Sequence, residues 1–231
     1  MRDDAATRIR TAYRDLGFFA PGDDWSVVAD VPCHHVALPH PWATIGRVLA
    51  RPDPPSPEAV ADVAAWLRAK SPQWTLMVRA GEPIDGFEVW DVMPALALRR
   101  PPPRRDPVGV EIGPALDRDE FLAAYGVELA PLVTEPHLRS ARMHHLVARI
   151  DGRPVGCARI RLMGDTAYVS AITVAEGHRG RGIGAALTVA ATERAAGDAD
   201  LVWLHCTPAS RSLYERLGYE HVDDHALLVS T

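Results

Sequence analysis

Residues 172–187 read Ile-Thr-Val-Ala-Glu-Gly-His-Arg-Gly-Arg-Gly-Ile-Gly-Ala-Ala-Leu. Ile172, Thr173 and Val174 close an alternating apolar run that predicts a strand, and the Ala- and Leu-rich run from Ile183 predicts a helix. Between them Gly180, Gly182 and Gly184 alternate with Arg179, Arg181 and Ile183. Glycine permits positive φ and close approach of backbone to a ligand. The first-turn amides of the helix, around Ile183, Gly184 and Ala185, have no intrahelical acceptor. Amides of that kind at the positive end of a helix dipole, with two guanidinium groups beside them, suit a phosphate or pyrophosphate.

Spacing narrows the ligand. A Walker A loop requires GxxxxGK[ST], and the chain's one lysine is Lys70. A dinucleotide fingerprint requires GxGxxG, whereas the glycines here fall at every second position. The segment Arg179-Gly180-Arg181-Gly182-Ile183-Gly184 fits [QR]xxGx[GA] and so resembles the acetyl-CoA signature of the GNAT (GCN5-related) N-acetyltransferase superfamily. Ile172-Thr173-Val174 resembles that family's fourth strand, whose backbone pairs with the pantetheine arm. Leu213-Tyr214-Glu215-Arg216-Leu217-Gly218-Tyr219 resembles its second motif, LYxxxGF. The resemblance covers residues 107–231. It implies acetyl-CoA as cosubstrate, direct transfer of the acetyl group to an amine in a ternary complex, and Tyr214 as the acid that protonates the leaving thiolate. A phenol has a reference pKa of about 10 and a thiol about 8.5, so this role asks for a depressed phenol pKa or assistance in the transition state. The family often has asparagine seven residues before the tyrosine; this chain has Thr207, which can make one hydrogen bond there.

The amine must be neutral to attack, and no general base is legible. Ser170 stands where relatives place a carboxylate on the fourth strand. Glu176, Glu135, His137, His144, His145 and His205 are weaker candidates, each more simply a surface charge or a core histidine. Cys33-His34-His35 and His40 lack zinc-like spacing, so no metal is expected.

These residues must be held by a sheet. Strands are expected at 109–112, 146–150, 154–161, 167–174, 201–206 and 226–229, with helices at 117–125, 183–195 and 208–217. Asp151-Gly152 and Gly164-Asp165 mark turns. That pattern implies an α/β (α+β) fold, by resemblance a GNAT-type mixed, mostly antiparallel central sheet flanked by helices. Pro101-Pro102-Pro103 cannot continue a helix or a central strand, and divides the chain into an N-terminal accessory domain (1–103) and a GNAT domain (104–231). The first part, a smaller α/β domain, should hold helices at 5–16 (Ile9, Tyr13 and Leu16 on one face) and 57–69 (Ser56 as N-cap). Its strands are expected at 25–31, 35–38, 74–78 and 95–98, with most of the six tryptophans filling its core. Helix-then-strand order and the paired Gly86-Phe87-Glu88 and Gly218-Tyr219-Glu220 suggest a degenerate copy of the same fold. Arg51-Pro52-Asp53-Pro54-Pro55-Ser56 replaces the glycine loop there, so one acetyl-CoA per chain is expected.

Apolar residues make up 47% of the chain and the net charge is −5, which speaks for a packed core and against a nucleic-acid partner. Three cysteines, an odd number, suggest reduced thiols. Met1-Arg2-Asp3-Asp4 is unlike a signal peptide, and no run approaches membrane-spanning length. A cytoplasmic protein with a small-molecule or peptide amine acceptor, no membrane partner and an open question of homodimerisation is the expectation. The alternatives are a non-catalytic acyl-CoA sensor or interaction protein, an acyltransferase using a longer acyl-CoA or a hydroxyl acceptor, and a nucleotide module.

Overall fold

The computed structural model describes residues 2–230 apart from Leu16, Phe18 and Pro21. In chain order the first elements are α1 (Arg2–Ala12), β1 (Asp24–Val28), β2 (Val31–His35), β3 (Thr44–Arg47), α2 (Pro57–Lys70), β4 (Thr75–Arg79) and β5 (Phe87–Leu98). Then come β6 (Glu111–Pro114), α3 (Arg118–Tyr125), α4 (Glu135–Arg139), β7 (Met143–Ile150), β8 (Arg153–Met163) and β9 (Thr166–Val174). The chain closes with α5 (Ile183–Ala196), β10 (Leu201–His205), α6 (Pro208–Arg216) and β11 (Glu220–Ser230).

The chain forms two units, Met1–Ala95 with Val222–Thr231, and Leu96–His221. The triproline lies inside the second unit, and the first change of unit falls at Ala95/Leu96 within β5 instead. The end of the chain belongs with its beginning because β11 runs antiparallel to β4, Ala226 facing Val78 and Leu228 facing Leu76. A strand that returns across more than a hundred residues leaves no local mark in composition.

In the first unit β1, β2 and β3 form an antiparallel meander, and α2 carries the chain to β4, parallel to β3. A two-residue turn at Ala29 and Asp30, with φ of 47° and 62°, splits the single strand expected at 25–31 into a hairpin. No strand forms at 36–38, because the chain turns there toward a 3-10 segment, Pro41–Ala43, leading into β3. Helix α1 begins earlier than expected and ends at Ala12; Leu16 falls outside the described residues. Val63 and Leu67 of α2 pack on Val31, Leu76, Ala226 and Leu228. Of the tryptophans expected in this core, Trp74 is buried, but Trp25 and Trp90 are 39% and 42% exposed.

The second unit has the order β6-β7-β8-β9-β10, antiparallel except for β9 with β10. Helix α5 links that parallel pair as α2 links the other. Alternation sends Ala158 and Ile160 of β8 and Ala167 and Val169 of β9 onto α5, where Ile183, Leu187 and Ala191 meet them. The opposite face of these strands packs on α3, with Phe121 against His145 at 4.8 Å between ring centres. The strand pairing within each unit is thus mixed and mostly antiparallel, with helices against the strands. The three cysteines are buried and form no disulfide. Among the described residues no helix is long and apolar enough to cross a membrane, and no group of three or more His, Cys, Asp or Glu gathers in a metal-binding arrangement.

Candidate functional site

Strand β9 is out of register at one place. Cys157 of β8 faces Thr173 and Arg159 faces Ser170, so Ala171 and Ile172 together oppose Ala158. Ala171 has φ of 55°, a rare conformation for a residue with a Cβ. This bulge bends β9 and increases its twist. On the other side the parallel ladder with β10 runs only from Thr166–Leu201 to Tyr168–Trp203. Past Tyr168, the segment carrying Ile172, Thr173 and Val174 continues without β10 beside it in register. An unpaired strand edge in a half-buried setting offers amides and carbonyls to an extended ligand.

The glycine loop follows directly. Gly180 and Gly182 have φ of 74° and 79°, and Gly182 is the N-cap of α5. No side chain caps α5; its first backbone bond is Ala186 N–H to Gly182 O, leaving the amides of Ile183, Gly184 and Ala185 unclaimed within the helix. A Cβ at Gly180 would meet nothing within 4 Å, so the loop is open on that side. Arg179 and Arg181 are exposed. Arg179 Nε donates to Val174 O at 3.0 Å and Arg181 lies 3.1 Å from His178 Nδ1. The first contact tethers one cation at the end of β9, beside the free helix start. Ile183, fully buried, anchors the helix on the sheet below.

Thr207 is exposed and caps α6, accepting from Ser210 N–H at 3.3 Å, while Ser210 Oγ accepts from Thr207 N–H at 3.1 Å. Its hydroxyl is therefore engaged in the helix start. Tyr214 of α6 is 7% exposed, with its ring 6.1 Å from that of Tyr219. Its hydroxyl bonds to no other described residue, and it is not sealed from solvent. Burial, with Cys206 and Tyr168 nearby, pushes its pKa up to about 12. Of the two conditions the acid role asked for, a depressed phenol is not met, which leaves assistance in the transition state: Tyr214 stays protonated and is a persistent hydrogen-bond donor. Tyr219 holds a different post, its hydroxyl 2.6 Å from Thr192 Oγ1 in the core.

The base candidates scatter. Glu176 is exposed beyond β9. Glu135 is exposed and paired with Arg139 at 3.4 Å. His137 is buried and caps α4, its Nδ1 accepting from Thr134 N–H at 3.2 Å. His144 lies toward α5, 3.9 Å from Asp198. His145 is buried on the α3 side, and desolvation with Arg159 beside it lowers its pKa to about 3. His205 Nδ1 is 3.2 Å from the hydroxyl of Tyr168. Ser170 lies one residue before the bulge, its Oγ buried and without a hydrogen-bond partner. Two features escaped the sequence reading: the Ala171 bulge, for which alanine gives no signal, and Arg159. The alternation Cys157-Ala158-Arg159-Ile160-Arg161 could have shown that this arginine leaves the α5 core.

Residues 114–219 match the acetyltransferase (GNAT) family. No curated protein matches the sequence. Among solved structures, the chain is similar to a GCN5-related N-acetyltransferase from Kribbella flavida, with a TM-score of 0.76 and 20% identity over 97% of this chain and 95% of that one. It is also similar to a tandem GNAT protein from the clavulanic acid biosynthesis pathway (TM-score 0.59, 16% identity, 93% and 85% covered). A third is a GCN5-related N-acetyltransferase from Sphaerobacter thermophilus (0.55, 19%, 74% and 66%). At these identities the likeness is one of fold.

Proposed function

We propose that the chain, whose residues 114–219 match the acetyltransferase (GNAT) family, transfers an acetyl group from acetyl-CoA to an amine. One observation carries the reading: the strand edge freed by the β9 bulge leads straight into a helix start whose amides are uncapped. Ile172, Thr173 and Val174 offer backbone groups to the pantetheine arm. The amides of Ile183, Gly184 and Ala185, in the cradle made by Gly180 and Gly182, donate to the pyrophosphate, with charge from Arg179 and Arg181. Acetyl-CoA supplies the activated thioester.

The protein's own groups do the rest. A β9 amide donates to the acetyl oxygen as negative charge develops on it, an interaction worth about 3 kcal/mol. Tyr214 donates a hydrogen bond toward the departing sulfur. Full proton transfer from a phenol at about 12 to a thiolate is uphill by on the order of 5 kcal/mol, so Tyr214 acts by hydrogen bonding rather than by losing its proton. His145, neutral and very weakly basic, does not serve as a strong base. The amine then arrives neutral or loses its proton to water. Thr207, occupied in its capping box, contributes little to CoA.

The same raised pKa favours a second reading, an acyl-CoA sensor that binds without turnover. Calorimetry with acetyl-CoA, a longer acyl-CoA, ATP and NAD tests the cosubstrate; CoA release over an amine panel tests turnover. Acetyl-CoA binding with CoA release supports the transferase. Binding alone supports the sensor, and stabilisation by a nucleotide but not by CoA overturns both.

A further inference from the structure

The acetyl site leaves one group of buried polar atoms unexplained. Across three adjacent strands, on the face toward α3, register aligns His145 of β7, Arg159 of β8 and Ser170 of β9 in one row. Each carries a buried atom with no hydrogen-bond partner: His145 Nε2, Arg159 Nε and Ser170 Oγ. Single orphans of this kind are uncommon in folded proteins, and three side by side call for a ligand or water.

Arg159 is the anomaly among them. It is 5% exposed, and a guanidinium keeps its charge at any ordinary pH. Its contacts are one carbonyl, Leu132 O at 2.8 Å from Nη1, and the face of Tyr125 at 5.9 Å. Among the described residues no carboxylate lies within ion-pair distance of it. A buried cation of this sort is costly unless an anion completes it. The neighbouring His145 stays neutral and so does not add to the repulsion; it can turn a donor or an acceptor to the same space.

The row ends at Ser170, directly before the bulge of β9, the strand whose amide takes the acetyl oxygen in the function proposed above. Neighbouring strands stand about 5 Å apart, so Arg159 lies one strand spacing from that point. This separation matches a small amine that carries its own carboxylate. We propose that the acceptor is such an amine, an amino acid or a close analogue, whose carboxylate is held by Arg159 with Ser170 as a second donor. A single guanidinium suits a single charge, which favours carboxylate over a phosphate ester. The proposal rests on the transferase reading of the same site.

The test uses the full chain. First, acetyl-CoA binding is measured for the wild type, Arg159→Lys and Arg159→Gln, with melting curves to confirm folding; equal affinities within twofold leave the cosubstrate site intact. Then CoA release is compared for amino acids, their amides, the matching decarboxylated amines and phosphoethanolamine. Binding of N-acetyl amino acids and N-acetyl amino amides, followed by NMR, needs no turnover. The expected result is at least a tenfold preference for the carboxylate member of each pair. Arg159→Gln should abolish that preference, mainly through KM, and Arg159→Lys should restore part of it. Equal use and binding of carboxylate and amide by the wild type overturns the proposal, as does a preference for phosphoethanolamine. A folded Arg159→Gln protein that keeps the full preference overturns it too. Absent acetyl-CoA binding in the wild type would instead sink the transferase reading, while the NMR comparison still reports on Arg159.

Discussion

The two units contain the same junction built in two ways. In each, a strand antiparallel to its predecessor feeds a helix that returns to a parallel neighbour: β3, α2, β4 in one, β9, α5, β10 in the other. Helix α2 closes its own start. Ser56 Oγ accepts from Ala59 N–H at 3.2 Å, Pro57 has no N–H to offer, and the Glu58 carboxylate turns back on its own amide and on Ser56, which lowers its pKa. Val60 N–H bonds Ser56 O. Helix α5 has a glycine at the equivalent cap and leaves its first amides for something else. Cations differ in the same sense: Arg51 is half-buried on Ala29 O and Asp53 O, whereas Arg179 and Arg181, each with a single contact, are exposed. One topology thus yields a self-sufficient helix start or a binding site, according to who satisfies three amides.

The largest effect comes from making the second junction resemble the first. Gly182→Asp sets a carboxylate at the cap of α5, at a positive φ that aspartate tolerates better than most residues. The helix dipole should return about 0.3–1 kcal/mol against the strain, so the fold survives. Acetyl-CoA affinity should fall at least a hundredfold, about 2.7 kcal/mol, by calorimetry. Unchanged affinity in a folded Gly182→Asp protein would mean that the pyrophosphate does not sit there. A stoichiometry of two would equally break the contrast, since the α2 junction is predicted to bind none.

Next in size is Tyr214. Tyr214→Phe should lower kcat by about ten- to hundredfold and leave acetyl-CoA affinity within twofold, as expected for the loss of a hydrogen bond to a charged sulfur, about 1.5–3 kcal/mol. Because its pKa lies near 12, the phenol keeps its proton through the alkaline range, and the wild-type rate should show no decline from this group below about pH 10. An alkaline limb near pH 8–9 that disappears in Tyr214→Phe would overturn the hydrogen-bond role and restore a depressed phenol.

How much of this junction could be read in advance depends on range. The glycine loop, the Ser56 cap and the Asp151-Gly152 turn were legible because each is a local conformational demand met by the residues that suit it. The Ala29-Asp30 turn, with the same positive φ at both positions, was not, since alanine is no turn signal. The Ala171 bulge hid for the same reason, and with it the splay of β9 from β10 that makes the site. The row of His145, Arg159 and Ser170 depends on register across three strands, and β11 depends on pairing with a strand far back in the chain. Alternation tells which side a residue faces, but not which residues become neighbours.

A smaller effect separates the units by pH. His145 is held neutral when folded, with a pKa near 3, while an unfolded histidine titrates near 6.5. Below pH 6.5 the unfolded chain binds the extra proton, so this residue's contribution falls as pH drops from about 6.5 toward 3, by at most about 1.4 kcal/mol per unit. Between pH 6.5 and 5 the wild type should lose roughly 2 kcal/mol more stability than His145→Gln, read by urea unfolding at each pH. Parallel curves would show that His145 is protonated in the folded protein, and the row beside Arg159 would then hold two cations.

The smallest effect tests the other junction. Ser56→Ala removes the hydroxyl that accepts from Ala59 N–H and should cost about 1 kcal/mol of stability, measured as a drop in the urea midpoint. It frees an amide at the start of α2, yet two features still oppose an anion there. Pro57 supplies no donor, and the Glu58 carboxylate occupies the first turn with a like charge. Acetyl-CoA should therefore bind Ser56→Ala at one site per chain with wild-type affinity. A second, weaker acetyl-CoA site in this variant would show that capping alone silences the first junction, and that prolines and charge add nothing. Retention of a single site would show that the first junction is closed several times over, as expected of a connection whose amides serve the fold alone.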